Sequence, residues 1–393
     1  MKAEDEKFWQ WISAKDETYS SFHDSEYDFF YEPLNRPNYR PYEDYRLCFC
    51  VNREHFVASE PSGPFTRSLL YIPITDTYPR CPYDISFIPD KFKLLRVLDL
   101  ETINMGISFA SGIDLLLNLK YLAVGGDIES IPPSLSKLQN LETLVVKGLK
   151  KKVVLPDTIW RMKNLKHVHV TNRAIFTLHF AEDASISRLD NLVSLSLPCF
   201  KCQKPTNDMI MRFPNLRYLS CVALGPSDDF VDFCEFLALE SLSKLEELKI
   251  MYHGKVLNAG QLNFPPSLRK LTLSNFRLPW SYISVIRGLQ NLEVLKLISQ
   301  AFEGSSWDME DLEFGKLKYL KLDTLDIAHW VASCDNLPEL QQLVVKNCKQ
   351  LEEISVEDFP TLQKIEVQGC GKLPEELIQT IKEVEGLEVV INN

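Results

Sequence analysis

The stretch LRVLDL at Leu95–Leu100 and its copy LKYLAV at Leu119–Val124 decide the fold of this 393-residue chain. Each copy has aliphatic residues at its first, fourth and sixth positions, separated by two free residues and then by one. Looser copies begin at Asp44, Arg67 and Val384, so the chain carries fifteen candidate strands. The twelve clear copies recur about every 24 residues and start at Leu95, Leu119, Leu141, Leu165, Leu192, Leu216, Leu245, Leu268, Leu292, Leu317, Leu340 and Leu362.

The alternation within each copy predicts a short strand with one buried face. Leu98 and Leu100 should point inward, and Val97 and Asp99 outward, because successive side chains of a strand lie on opposite faces. A single copy cannot bury its own leucines, but stacked copies bury a continuous aliphatic ladder. The period is typical of leucine-rich repeats. We therefore predict an α/β solenoid, a curved horseshoe with about 15 short parallel strands on its concave face and irregular or short helical returns on its convex face.

Several returns between the strands begin with proline, as in IPPSLSKL from Ile131 and LPDTIWRM from Leu155. Proline followed by a polar residue suits a turn or a first helical position. The apolar residues that follow are three apart, as on one face of a helical turn. We predict short helical turns here, with Leu135 and Leu138 buried in one return and Ile159 and Met162 in the other.

The start of the chain differs in composition from the repeats. Fourteen aromatic residues lie within the first 56 positions, where acidic residues, serines and prolines show no sustained period. We predict two parts, an aromatic and acidic segment at 1–43 that is partly loop, and a repeat domain at 44–393. The aromatic side chains either cap the first strand or pack on a neighbouring domain.

The net charge, the absence of targeting motifs and the scattered cysteines limit the kind of ligand and the cellular compartment. The net charge of −11 disfavours nucleic acid as a ligand. The sequence has no basic-then-apolar leader, no run of 18 apolar residues and no Asn-x-Ser/Thr site, and its ten cysteines are scattered. These features predict a cytoplasmic protein without a membrane span. Cys348 and Cys370 each follow a strand by three residues, the structural Asn/Cys position of the repeat.

No pattern in the sequence points to catalysis or to a metal. Cys199 and Cys202 form a lone pair without the second pair that a zinc site requires. Gly-x-Ser-x-Gly and His-Glu-x-x-His motifs are absent from the sequence. We expect no enzyme activity, no catalytic residue and no metal site.

The concave face is the predicted binding surface. The three free positions of the twelve clear strands carry eleven basic and six acidic residues, an excess opposite in sign to the whole chain. Such asymmetry steers acidic partners, and tyrosines beside basic side chains are typical interface anchors. The candidate partner-binding residues are Lys120, Tyr121, His167, His169, Arg217, Tyr218, Lys249, Arg269, Lys270, Lys296, Lys318, Tyr319 and Lys321.

Four long stretches go beyond the generic repeat: RLCFCVNREHFVASEPSGPFTRSLL at Arg46–Leu70, YPRCPYDISFIPDKFKLLRVLDLE at Tyr78–Glu101, YLAVGGDIESIPPSL at Tyr121–Leu135 and LETLVVKGLKKKVVLPDTIW at Leu141–Trp160. With them the chain resembles the leucine-rich-repeat region of plant intracellular nucleotide-binding immune receptors, more narrowly the late blight resistance proteins of potato and its relatives.

This resemblance implies a role in disease resistance and the defence response, including the hypersensitive response. The implied partners are proteins: a pathogen effector, a guarded host protein or the receptor's nucleotide-binding domain, which the repeats would restrain. In full-length relatives that domain would bind ATP or ADP. This sequence has no Gly-x-x-x-x-Gly-Lys-Ser/Thr phosphate loop, so we expect no cofactor on this chain.

Other functions remain open at this point. An F-box-type adaptor that selects substrates would also carry leucine-rich repeats, but it needs an N-terminal helical motif, and residues 1–43 show only one short candidate helix. A non-functional truncated paralogue and a fragment of a longer receptor are further alternatives. A receptor ectodomain fits poorly with the missing leader, membrane span and glycosylation sites.

Overall fold

The computed structural model describes residues 46–73, 81–106, 112–149, 152–176, 188–202, 204–225, 236–254, 262–309, 313–354, 359–371, 378–379 and 386–392. Residues 46–393 form one compact unit. The predicted segment 1–43 and the boundary after it lie outside the described residues. No helix in the described ranges is both long enough and apolar enough to cross a membrane.

One long parallel sheet organises the described part of the chain. Its strands follow each other in chain order along a path of fifteen, one for each of the fifteen predicted copies. The predicted fold class is confirmed. The strands are Arg46–Val51, Ser68–Pro73, Val97–Asn104, Tyr121–Gly126, Thr143–Gly148, His167–Phe176, Ser194–Lys201, Tyr218–Leu224, Glu247–His253, Lys270–Ser274, Val294–Ile298, Tyr319–Asp323, Gln342–Lys346, Lys364–Gln368 and Glu388–Asn392.

The leucines of neighbouring repeats stack in register and form the inner core. Leu98 pairs with Leu122, and Leu122 pairs with Leu144 on the next strand. All three side chains are fully buried, and burying one leucine contributes roughly 1.5–3 kcal/mol. Because each leucine is covered mainly by its counterparts in adjacent repeats, the array is stable only as a stack.

An asparagine ladder ties consecutive repeats together at the residue that precedes each first leucine. Asn140 Nδ2 donates to the Leu117 carbonyl at 3.0 Å, and Asn164 Nδ2 donates to the Gln139 carbonyl at 2.8 Å. Asn191, Asn215 and Asn291 make the same contact in later repeats. Each amide satisfies a carbonyl that the strand hydrogen bonds leave free, so the ladder helps to hold the repeat spacing.

The predicted helical returns are present, and they are single turns. Proline begins the 3₁₀ segment Pro133–Lys137, and Asp157–Arg161 follows Pro156. Leu135, Leu138, Ile159 and Met162 are buried, as their spacing predicted. The other returns hold α-helical turns at Arg53–Ser59, Ile88–Lys91, Lys204–Ile210 and Ser284–Arg287, and 3₁₀ turns at Ile113–Leu115, Leu239–Ser241 and Trp280–Ile283.

Later returns contain short strands that the sequence pattern did not predict. They form a two-stranded sheet of Leu278–Pro279 with Phe302–Glu303, and a three-stranded sheet of Ser306–Asp308, His329–Val331 and Glu353–Ile354. A further strand, Lys152–Leu155, pairs with His167–Phe176. Large aromatic side chains fill the space between these returns and the main sheet.

The aromatic side chains behind the later repeats stack on one another. The ring centroids of Trp280 and Trp307 lie 4.6 Å apart at an interplanar angle of 11°. Trp307 lies 6.3 Å from Trp330, which stacks on Phe359 at 6.2 Å. Side chains of this volume separate the return from the main sheet, and the return then runs as an extended strand where the earlier repeats have a compact turn.

Candidate functional site: the exposed face of the main sheet

The free positions of the repeat form three parallel columns on the exposed face of the main sheet. The residue after each first leucine forms the edge column, in which consecutive residues are joined by backbone hydrogen bonds, for example from Lys120 N to the Arg96 carbonyl at 2.8 Å. The next residue forms the middle column, and the residue between the last two aliphatics forms the far column. Neighbours within a column lie on adjacent strands, about 4.8 Å apart.

From Lys120 onward, acidic and basic residues mostly alternate in the edge column and pair with each other. Glu142 accepts from Lys120 Nζ at 2.9 Å and from Lys166 Nζ at 2.8 Å. Further along, Glu246 pairs with Arg217 at 2.6 Å. The hydrogen bonds from Lys166 and then Lys120 hold the pKa of the Glu142 carboxyl below its usual range. From Lys120 onward the edge column is therefore a row of ion-paired side chains.

A shallow groove of about 510 Å³ runs along the same edge of the sheet. It includes Lys244 and Lys316, which were not among the predicted binding residues. Both occupy the position that holds asparagine in other repeats, and Lys316 Nζ donates to Asn291 Oδ1 at 3.0 Å. An alignment of the repeats in the sequence would have shown that these two lysines replace the asparagine found in other repeats. The groove is lined by Arg217, Lys244, Glu246, Ser267, Arg269, Asn291, Glu293 and Lys316.

The middle column holds the three predicted tyrosines and one predicted histidine. Tyr121, Tyr218 and Tyr319 are all half-buried on the exposed face. The Arg217 guanidinium lies 5.9 Å from the centroid of the Tyr218 ring, and Lys296 Nζ lies 5.3 Å from that of Tyr319. These distances are within the range of cation–π contacts, so the tyrosines already hold basic side chains in place.

The two predicted histidines lie on this face in different columns. His167 Nδ1 is 2.8 Å from Ser194 Oγ in the middle column. His169 lies two residues on, in the far column, and is exposed. The described residues contain no group of three or more His, Cys, Asp or Glu side chains arranged to hold a metal ion.

The far column carries three predicted lysines on neighbouring strands. Lys249, Thr272, Lys296 and Lys321 follow one another in register. Lys249 pairs with Glu247 at 2.9 Å, and Lys321 pairs with Asp323 at 2.8 Å. Burial, with the nearby charges of Lys249 and Lys321, lowers the pKa of the Lys296 ammonium.

The remaining predicted binding residues lie beside these groups. Arg269 in the edge column pairs with Glu293 at 2.6 Å. Lys270 in the middle column approaches Glu247 at 3.7 Å, and Lys318 in the edge column approaches Glu339 at 3.9 Å. The structure thus brings all thirteen predicted residues to one face, but it spreads them over the width of the sheet and pairs most of the cations.

Asp99 occupies the far column nearer the start of the chain. Its carboxylate accepts a hydrogen bond from the Glu101 backbone N–H at 3.2 Å. Burial nevertheless raises the pKa of Asp99 to about 6, because a low-dielectric setting disfavours the charged form. This aspartate was predicted to point outward, and the structure places it on the exposed face of the sheet, half-buried.

The two cysteines assigned to the structural turn position lie behind the last strands. Cys348 is fully buried, and its Sγ is 3.3 Å from the Lys346 carbonyl. Cys370 Sγ reaches the Val345 carbonyl at 3.5 Å. Hydrogen bonding between the two thiols raises the pKa of Cys348 and lowers that of Cys370 to about 7.

Comparison with known proteins shows the family to which the chain belongs. Residues 80–313 match the model of a leucine-rich repeat region. A putative late blight resistance protein homolog of Solanum demissum is 33% identical over 77% of this chain, and the match covers 39% of that protein. A late blight resistance protein of the same species is 33% identical over 69% of the chain, which covers 21% of its length. The chain thus spans less than half the length of these curated relatives.

Among solved structures, a leucine-rich-repeat protein of Leptospira interrogans aligns with 94% of this chain and 100% of its own, with a TM-score of 0.49 and 15% identity. The relationship to the Solanum proteins confirms the predicted family resemblance, and it concerns their repeat region.

Proposed function

This chain belongs to the family of leucine-rich repeat regions, and from that membership we propose that it is the recognition and regulatory part of a plant disease-resistance protein. In this role it binds a pathogen effector or a guarded host protein. It also restrains a nucleotide-binding module in the resting state. Its setting is the cytoplasm, and its output is the defence response.

The observation that carries the proposal is the homology of 33% over 77% of the chain to a late blight resistance protein homolog. The exposed sheet face supports a role in binding, because it presents two tyrosines, Tyr218 and Tyr319, each next to a basic side chain. Aromatic and arginine side chains are the usual anchors of protein interfaces. Leucine-rich-repeat domains are typically non-catalytic, so binding is the chemistry that this family membership favours.

Restraint by such a domain follows from differential affinity. A repeat domain that contacts the resting arrangement of a nucleotide-binding module stabilises that arrangement. A ligand that competes for the same face removes the restraint, and the equilibrium shifts by the difference in its affinity for the two states. No part of the repeat domain needs to refold for this switch.

Capture of the nucleotide-binding module of the Solanum demissum homolog by the full chain tests the proposal. We expect the double change Arg269→Glu and Lys270→Glu to weaken this capture about tenfold or more, because it reverses two charges at the centre of the face. The matched control is Lys137→Glu, an exposed lysine on a return that pairs with Asp114. Equal capture by the unchanged chain and both variants, or no capture at all, would count against the proposal.

A further inference from the structure

Nearly every cation on the exposed face is neutralised by a carboxylate of the same chain. Of the eleven basic residues at the free positions of the twelve clear strands, nine have a carboxylate oxygen within 4.0 Å in the described structure. The two that do not are Arg96 and Lys296. Arg96 is exposed to solvent, which hydrates its charge, whereas Lys296 is half-buried. Lys296 is therefore the position where the face carries an uncompensated charge.

The surroundings of Lys296 add positive charge. Lys321 is its neighbour in register on one side, and Thr272 separates it from Lys249 on the other. Lys270 completes a cluster of four ammonium groups, which we call the lysine cluster: Lys249, Lys270, Lys296 and Lys321. The nearest acids, Glu247 and Asp323, are already engaged by Lys249 and Lys321.

The energetics of this arrangement are unfavourable in the free protein. The Lys296 ammonium loses part of its hydration and faces like charges, which together lower its pKa. The Tyr319 ring, 5.3 Å away, offsets part of this cost through a cation–π contact. A carboxylate delivered from outside would remove the repulsion and supply a charge-assisted hydrogen bond.

We infer that the lysine cluster, with Tyr319 at its side, binds an acidic segment of a partner protein and seats one of its carboxylates on Lys296. This inference deepens the proposed function and rests on it, since it names the chemical class of partner that the exposed face takes. Lysine suits the task because its ammonium is a compact charge with three donors that adapts to an irregular array of carboxylates.

A protein segment fits this surface better than a nucleic acid does. Glu246 and Glu293 of the edge column border the cluster, and the whole chain carries −11. A continuous polyanion would run across these carboxylates and be repelled. A short acidic segment can instead place its few charges on the cluster and its neutral residues beside Tyr319.

A fluorescent eight-residue peptide, with three glutamates separated by glycine and serine, is the probe, and its anisotropy on binding to the full chain gives the affinity at low salt. We expect Lys296→Gln to weaken binding about fivefold or more. The matched control is Lys137→Gln, which removes the same charge from an exposed side chain on the return before the strand Thr143–Gly148, six strands away from Val294–Ile298 along the sheet path. That separation exceeds the Debye length of about 10 Å at 0.1 M salt, so the control should change the affinity less than twofold.

A second measurement follows the lysine itself and does not depend on the affinities of the variants. Reductive methylation with ¹³C places a reporter on every lysine amine, and Lys296→Gln identifies the signal of Lys296. That signal should titrate below those of the other exposed lysines, and the peptide should raise its pKa. Equal weakening by both variants, or a Lys296 signal that the peptide leaves unmoved, would overturn the inference.

Two outcomes separate this inference from the proposed function. If the Arg269→Glu and Lys270→Glu variant loses the nucleotide-binding module while Lys296→Gln keeps full affinity for the peptide, the function stands and the acidic-segment site is wrong. If single-stranded DNA of the same charge binds more tightly than the glutamate peptide and depends on Lys296, the choice of partner class is wrong.

Discussion

The edge column and the far column cross the same strands, yet their charged residues follow each other in a different order. In the edge column, acidic and basic residues mostly follow each other from Lys120 onward, so Lys120 and Lys166 share Glu142 and each ammonium lies beside a carboxylate. In the far column like charges follow each other, and the pKa of Lys296 falls as a result of burial and of these neighbours. With strands about 4.8 Å apart, the order of signs along a column decides whether neighbours attract or repel.

Two residues of the far column, Asp99 and Lys296, are partly desolvated although their charges have opposite signs. Burial raises the pKa of Asp99 to about 6 and lowers that of Lys296. Both shifts favour the neutral form, which is the signature of desolvation. The far position lies between two buried aliphatic residues, whereas the edge position has a buried aliphatic residue on one side only. At Asp99 and Lys296, the burial of the individual side chain contributes more to the cost of the charge than the neighbouring charges do.

The largest effect is expected for Asp99→Asn. The folded pKa of about 6 exceeds the unfolded value of about 3.9, so ionisation destabilises the folded state. This penalty is absent below about pH 4, grows between pH 4 and 6, and is complete above pH 6. Asparagine keeps an acceptor for the Glu101 N–H and should stabilise the protein by about 2 kcal/mol above pH 7.

Thermal unfolding at several pH values checks this prediction. The melting temperature of the variant should exceed that of the unchanged chain at pH 7.5, and the two should converge near pH 4. A difference that is the same at both pH values would mean that the charge of Asp99 is not the cause.

Lys296→Met tests the cost of burying a positive charge, as Asp99→Asn tests that of a negative one. Methionine keeps an unbranched side chain against Tyr319 and removes the desolvated ammonium. We expect a stabilisation of about 0.5–1 kcal/mol at pH 7. Lys249→Met is the control, because Lys249 is exposed and pairs with Glu247, and it should give no gain. Urea midpoints measure both, and a loss of stability for Lys296→Met would contradict the comparison.

The smallest effect is expected for Glu142→Gln in the edge column. The change removes two ion pairs, but both lysines are largely exposed, and exposed pairs contribute about 0–1 kcal/mol. The pKa of Glu142 is lowered in the folded state, so its contribution is present above the unfolded pKa of about 4.3 and is lost as pH falls through the folded value.

Salt provides the measurement for this last prediction. The stability difference between Glu142→Gln and the unchanged chain should shrink in 1 M sodium chloride, because the Debye length falls to about 3 Å. A difference that salt does not reduce would show that Glu142 stabilises the protein through packing and not through its ion pairs with Lys120 and Lys166.

Part of the candidate site was predictable from the sequence. The thirteen residues proposed for the exposed face all lie there, because the alternation of Leu98 with its neighbours dictates which side chains turn outward. The pairing along the edge column was also contained in the sequence, in the order Lys120, Glu142, Lys166. A count of charges over the whole face conceals this order, whereas an alignment of the repeats by column reveals it.

The asparagine ladder and the tryptophan stack were harder to predict. The ladder requires knowing that Asn140 faces the carbonyl of Leu117 in the preceding repeat, which depends on the pitch of the array. The stack joins Trp280, Trp307 and Trp330 across returns of different length and composition. The asparagines recur with the repeat, but only the folded array shows which carbonyls they contact, and the tryptophans follow no local period.

The sequence by itself determined the fifteen strands along the path of the main sheet, their parallel order and the face that each leucine takes, because these follow from a period of two within the strand and of about 24 between repeats. Only the tertiary structure decided which charges are neutralised and which are not. That outcome depends on which side chains, most of them from different repeats, meet at distances of 2.5–3.9 Å, and on how deeply each charged side chain is buried.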